Sequence, residues 1–288
     1  MTSPPEGAGA AFEPIDLEAP DGHRWQLSVL MPPQPRAHLL WLPALGVAAR
    51  HYLPFAQALC EHGIAVFVHE WRGNGSSNLR PSRMVDWGYR EVLEQDLPVT
   101  AAAMQARVGD TKGQALVGGH SLGGQLAACF LGQRPQLADA LWLVASGAPY
   151  WRAFPPRTRW WLPLAYRFLP WLGQRMGYLP GRRIGFGGNE SRSLIRDWAR
   201  TALSGRYAAD GITADLEAGM AGLHIHARAV TLQDDWLAPP SSLRFLLSKI
   251  PHARVQARTL DARTLGAKAD HFHWMKHPRA VADALLRD

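Results

Sequence analysis

A chain of 288 residues suits one large α/β domain or two small ones, and with 47% of them hydrophobic it can bury a sizeable core and is neither fibrous nor broadly disordered. Its net charge of +7 comes almost wholly from arginines that are scattered rather than clustered, so no nucleic-acid partner is expected. Cys60 and Cys129 have neither metal-ligand spacing nor the look of a disulfide framework, so both read as buried thiols and no metal is predicted.

Residues 1–12 read as a loose tail, without the basic start and apolar run of a signal peptide. No run of about 18 charge-free apolar residues follows, so no transmembrane helix is expected and a cytoplasmic location fits. Segments 13–20 and 23–31 flank Asp21-Gly22 and read as a β-hairpin, ended by Pro32, Pro33 and Pro35. Strand and helix then alternate. Ala37–Leu42 and Ile64–Val68 are apolar strands around a helix over 50–62. A helical stretch over 89–108 is expected to be interrupted at Pro98. A strand over 115–119, a helix over 121–131 and a strand over 138–145 come next. Continuous apolar strands separated by helices predict a mostly parallel sheet covered on both faces.

The rhythm stops over residues 149–223, which hold five of the twelve tryptophans and no clear strand. This stretch reads as a helical insert between two parts of the core, 13–148 and 224–288. The alternation then resumes with a strand over 225–232, a helix over 241–250, the strand Arg254–Leu260 and a last helix over 278–286.

The stretch 118–124, GGHSLGG, sits where a strand gives way to a helix. It matches G-x-S-x-G, the nucleophile elbow, a turn so tight that side chains two positions either side of the serine would collide. Ser121 is therefore the candidate nucleophile, and the helix N-terminus behind it favours developing negative charge. His120 reads as packing, since the elbow turns neighbouring side chains apart.

A serine hydroxyl needs a base to take its proton and an acid to orient the base. On an α/β-hydrolase sheet these follow in the order serine, acid, histidine. Asp234 and Asp235 compete for the acid after the strand 225–232; Pro239, four residues beyond, favours Asp235. His271 is the first of three histidines after the last strand and is favoured over His273 and His277. The oxyanion needs two backbone N–H groups. Leu122 follows the nucleophile, and Leu45, with Gly46 as the alternative, follows the strand Ala37–Leu42.

Together these pieces resemble the α/β-hydrolase superfamily, and more narrowly a bacterial branch of predicted hydrolases related to the serine aminopeptidase and monoacylglycerol-lipase-like group. The resemblance runs through LPALGVAARHYLPFAQALCEHGIAVFVHEWRGNGSS, GGHSLGG, GYLPGRRIGFG, DWAR, DDWLAP and DHFHWMK, almost the whole chain after residue 13. It implies an α/β-hydrolase fold with an inserted helical cap over the active site. Three positions depart from the usual pattern: Pro43-Ala44 stands for His-Gly before the oxyanion residue, Glu70 for the aspartate that opens the D-x-R-G-x-G-x-S turn, and Asp270 for the glycine before the catalytic histidine.

The expected activity is hydrolysis of a small-molecule carboxylic ester through an acyl-enzyme, with no cofactor. Amide or lactone hydrolysis by the same residues, and a hydrolase-like fold used for binding alone, are the alternatives. Trp151, Trp160 and Trp161 are the candidate pocket residues, with packing inside the cap as the competing role. The insert also places arginine beside tryptophan and leucine, as interfacial helices do. Pro163 and Pro170 are expected to break any long helix there, so membrane-surface contact is not favoured.

Overall fold

The computed structural model describes residues 12–109 and 113–287. The predicted tail lies outside them except for Phe12, which opens the first strand. Strands β1 (Phe12–Glu18) and β2 (Arg24–Leu30) form the expected antiparallel hairpin. β3 (Ala37–Leu42), α1 (Leu53–Cys60) and β4 (Ile64–Val68) follow. The next helical stretch runs through α2 (Tyr89–Glu91), a π-turn over Val92–Asp96 and α3 (Leu97–Val108). Pro98 does not interrupt it. The proline lies in the first turn of α3, and the wide turn just before it absorbs the changed hydrogen-bond register.

β5 (Gln114–His120) leads into α4 (Leu122–Gln133), and β6 (Ala140–Val144) follows. Residues 149–223 then carry α5 (Pro156–Arg159), α6 (Leu162–Met176), β7 (Leu179–Pro180), α7 (Gly181–Ile184), β8 (Asn189–Glu190), α8 (Arg192–Ser204) and α9 (Leu216–Ala221). The stretch read as strandless thus holds one two-residue antiparallel pairing, β7 with β8. Two residues are too short to leave a periodic pattern. β9 (His226–Leu232), α10 (Pro240–Leu247), β10 (Arg254–Leu260), α11 (Ala262–Leu265) and α12 (Arg279–Leu286) complete the chain.

The eight long strands form one sheet in the order β1-β2-β4-β3-β5-β6-β9-β10. β1, β2 and β4 pair antiparallel, and every pairing from β4 to β10 is parallel. The chain therefore has an α/β-hydrolase fold. Along β3 the side chains alternate between the two faces. Leu40 and Leu42 enter one apolar core with Leu126, Phe130 and Leu143, while Leu39 and Trp41 enter the other with Phe55, Trp274 and Val281. Leu162, Tyr166 and Leu169 of α6 join the first core, which binds the 149–223 segment to the sheet.

α6 corrects the expectation of a broken helix. It runs for 15 residues, with Pro163 in its first turn, where no N–H is needed, and Pro170 inside. A proline within a helix removes one hydrogen bond, and here the buried residues on either side, Leu169 and Gly173, keep the helix on its track. No helix among the described residues is long and apolar enough to cross a membrane.

Candidate active site

Ser121 stands between β5 and α4 with φ 55° and ψ −119°, a strained conformation for a residue with a side chain. Its N–H donates to the Val144 carbonyl at 3.1 Å, so the sheet holds the turn from below. The glycines are a steric necessity. A Cβ on Gly119 would overlap the Gly123 backbone, and one on Gly123 would overlap the carbonyl oxygens of Leu42 and Pro43. Gly123→Ala is expected to cost about 1–3 kcal/mol, because the obstructing atoms are backbone and cannot rotate away. Urea unfolding of the variant checks this; an unchanged midpoint would mean that the elbow has room to spare.

Asp235 and His271 come together, and Asp234 stays apart. The His271 Nδ1 lies 2.7 Å from Asp235 Oδ2, with both side chains buried. Asp235 Oδ1 accepts from the backbone N–H groups of Leu237 (2.9 Å) and Ala238 (3.0 Å), which aims Oδ2 at the imidazole. Asp234 is exposed; its backbone N–H donates to the Ala269 carbonyl. His273 is exposed and bonded to Asp270, and His277 is exposed as well. The Asp270 carboxylate is engaged by His273, Lys268 and the Phe272 N–H. Desolvation raises the affinity of its carboxyl for a proton, but hydrogen bonds from His273, Lys268 and the Phe272 N–H outweigh this and hold it well below the usual carboxylate range.

The loop after β3 explains how Pro43-Ala44 can stand where His-Gly is usual. Trp71 Nε1 donates to the Pro43 carbonyl at 2.9 Å, and the Ala44 N–H donates to the Tyr52 hydroxyl at 2.8 Å. With Pro43 and Ala44 pinned, the next N–H belongs to Leu45. Among the described residues neither the Leu45 nor the Leu122 N–H has a hydrogen-bond partner. Leu45, Leu122, Ser121 and His271 all border one cavity of about 460 Å³. No hydrogen bond reaches Ser121 Oγ from the described residues, as is common in free enzymes whose catalytic hydrogen bonds tighten on binding. Glu70 is buried, and its carboxylate accepts from the Ala49 and Ser76 N–H groups, a bracing role that an aspartate would have to reach further to fill.

The same cavity is lined by Trp161, Leu162, Tyr166, Phe168 and Trp198 of the 149–223 segment. Trp151 and Trp160 are not among its walls. Trp160 is 71% exposed, and the Trp151 ring packs against Tyr150. Tyr166 and Trp198 also touch each other, ring centroids 5.0 Å apart, so single aromatics here both line the cavity and pack the segment's own interior. No Asp, Glu, Lys or Arg belongs to the described residues lining it.

Two contacts escape a sequence reading. Tyr52 accepts from Ala44 and lies 2.8 Å from His120 Nδ1, so its own proton is free to go to that nitrogen. His120 is indeed buried packing, but it packs on His271, ring centroids 4.8 Å apart. Burial holds the His120 imidazole well below its ordinary pKa, which keeps it neutral beside the candidate base. Tyr52 and His120 are 68 positions apart, so no local pattern announces the pair.

Comparisons with known proteins agree with this architecture. Solved structures similar to the chain include a hydrolase from Pseudomonas aeruginosa PA01 (19% identity, TM-score 0.60, 97% of this chain and 98% of that one covered). Others are the esterase domain of a Rhodothermus marinus protein (18%, 0.59, 96% and 96%) and a carboxylesterase structure from Nitrososphaera gargenis (14%, 0.60, 94% and 96%). At these identities the likeness is one of fold. No curated protein matches the chain in sequence. A family model described as "Serine aminopeptidase, S33" matches residues 33–213, well over half of the chain, from the turn before β3 through the elbow and α8. By fold and by this match, the chain belongs to that family of α/β hydrolases.

Proposed function

We propose that the protein is a carboxylic-ester hydrolase that works through Ser121, His271 and Asp235. The observation that supports this best is the company these groups keep: a serine on a strained elbow and a carboxylate-bound histidine border one cavity whose walls are mostly apolar. An aminopeptidase must hold a free ammonium group, which calls for an acidic side chain in the pocket. The described lining residues offer none, whereas an acyl chain or aromatic ester finds Trp161, Tyr166, Phe168 and Leu169.

In this reading Ser121 Oγ attacks the ester carbonyl carbon as its proton passes to Nε2 of His271. The Leu45 and Leu122 N–H groups hold the oxyanion, and Asp235 stabilises the imidazolium. The tetrahedral intermediate collapses, His271 protonates the departing alcohol, and an acyl-Ser121 ester remains. Water gives a proton to His271 and attacks that ester; the carboxylic acid leaves and Ser121 regains its proton. No metal or organic cofactor is required. The 149–223 segment acts as the cap that selects the acyl part.

A fluorophosphonate probe and a series of p-nitrophenyl esters test the proposal. The wild type should be labelled, Ser121→Ala should not, and turnover should favour medium or long acyl chains over acetate. Absence of labelling and turnover in the wild type would leave a binding protein. Faster cleavage of aminoacyl p-nitroanilides than of esters would favour the aminopeptidase reading instead.

A further inference from the structure

Helix α6 is apolar on two opposite faces. Leu162, Tyr166, Leu169 and Gly173 are buried and follow the spacing of one helical face. The other face presents Leu164, Phe168 and Trp171, at i, i+4 and i+7, which are 71%, 50% and 57% exposed. Trp160, just before the helix, is 71% exposed. A helix on the surface of a globular protein normally turns polar residues outward. A row of large apolar side chains there marks a contact.

The charge around this row says what kind. Between Gly147 and Asn189 the sequence has seven arginines and no Asp or Glu. Arg157, Arg167, Arg175, Arg182 and Arg183 are exposed, and among the described residues none of them forms a salt bridge. The Arg159 guanidinium lies over the Trp160 ring, 5.2 Å from its centroid. A second copy of the chain meeting this face across a two-fold axis would set the arginines against their own images. An anionic surface that is polar above and apolar below matches both features at once.

The face also adjoins the cavity. Phe168 and Trp161 are exposed on one side and border the Ser121 cavity on the other. The Trp161 ring stands 6.2 Å from that of Trp236, which is itself 55% exposed.

We propose that this face docks on an anionic phospholipid bilayer. α6 lies in the plane of the interface with Leu164, Phe168, Trp171 and Trp160 at the boundary of headgroups and acyl chains, and the arginines meet the phosphates. The docking stands apart from the esterase reading; only the passage of substrate from lipid into the cavity rests on it.

Co-sedimentation tests it without reference to turnover, using vesicles of phosphatidylcholine alone and of phosphatidylcholine mixed with phosphatidylglycerol. The wild type should pellet with the mixed vesicles and be released by salt. Arg167→Gln with Arg175→Gln should weaken partitioning by roughly fivefold per arginine. Leu164→Ser with Trp171→Ser should weaken it by on the order of tenfold or more. Neither Leu164 nor Trp171 lines the cavity, and an unchanged thermal unfolding midpoint shows that the variant has folded. Failure of the wild type to pellet with either vesicle overturns the proposal, as does equal binding to both. A wild-type dimer that Leu164→Ser with Trp171→Ser dissolves would assign the face to a second copy and overturn it as well.

Discussion

Asp235→Asn is expected to lower kcat by about 10⁴-fold, while Asp234→Asn changes it by less than about threefold. The asymmetry follows from how the Asp235 carboxylate is held. Oδ1 accepts two backbone N–H bonds, from Leu237 and Ala238, and Oδ2 faces His271 Nδ1. An asparagine must keep its single oxygen on the two N–H groups, because its NH₂ can only donate. The NH₂ is then turned toward Nδ1, which must accept, so the imidazole proton moves to Nε2. In the proposed mechanism that is the nitrogen that takes the Ser121 proton, and it is now occupied. The fold loses little, since shape and both backbone bonds survive. Among the described residues the bond formed at Asp234 is made by its backbone N–H, which the variant retains. Steady-state kinetics on the best p-nitrophenyl ester, with the rate of fluorophosphonate labelling as a second readout, measures both variants. A larger loss for Asp234→Asn would sink the assignment.

Which parts of this were legible beforehand has a physical pattern. Ile64–Val68 and Ala37–Leu42 could be read to the residue because a strand buried on both faces is a continuous apolar run bounded by breakers. The elbow was legible for a similar reason: the clash that demands Gly119 and Gly123 is local, so it must be written beside Ser121. The choice between Asp234 and Asp235 was not local. It depends on which carboxylate the Leu237 and Ala238 N–H groups capture, and adjacent aspartates offer the same sequence signal. Tyr52 braces the Ala44 loop and His120 from a turn before α1, a contact that only the packed sheet creates. Residues 149–223 were hardest, since helices of four residues and strands of two carry no measurable period, and Pro170 argued for a break that packing overrides.

Glu190→Gln should make stability less dependent on pH, with the variant more stable than the wild type by about 3 kcal/mol at about pH 8 and equal to it within about 1 kcal/mol near pH 4.5. Glu190 is 1% exposed at the end of the segment that covers the Leu45 loop. Burial pushes its carboxyl up from 4.5 to about 7, against the Gly188 N–H bond and the field of Arg182, which both favour the charged form. Arg72 borders the same small cavity, but Asp96 and Asp21 already bind its guanidinium. The folded chain therefore keeps a proton that the unfolded chain gives up above about pH 4.5. The stability this provides is complete below that pH, falls as pH rises toward 7, and is gone above it. The glutamine side chain of the variant can still accept from the Gly188 N–H and never ionises. Asp197, pushed up to about 6 mainly by burial, slopes the same way, so the wild-type curve alone cannot isolate Glu190, whereas the difference between the two proteins can. Urea unfolding of both at about pH 4.5 and about pH 8, with matching m-values, supplies that difference. Parallel curves would mean that Glu190 is ionised in the fold and that Arg182 and the Gly188 N–H outweigh its burial. The site of this change matters, because Gly188 packs against Gly46, where any side chain would strike its backbone nitrogen. Glu190 therefore titrates within the segment that lies on the loop carrying the Leu45 N–H.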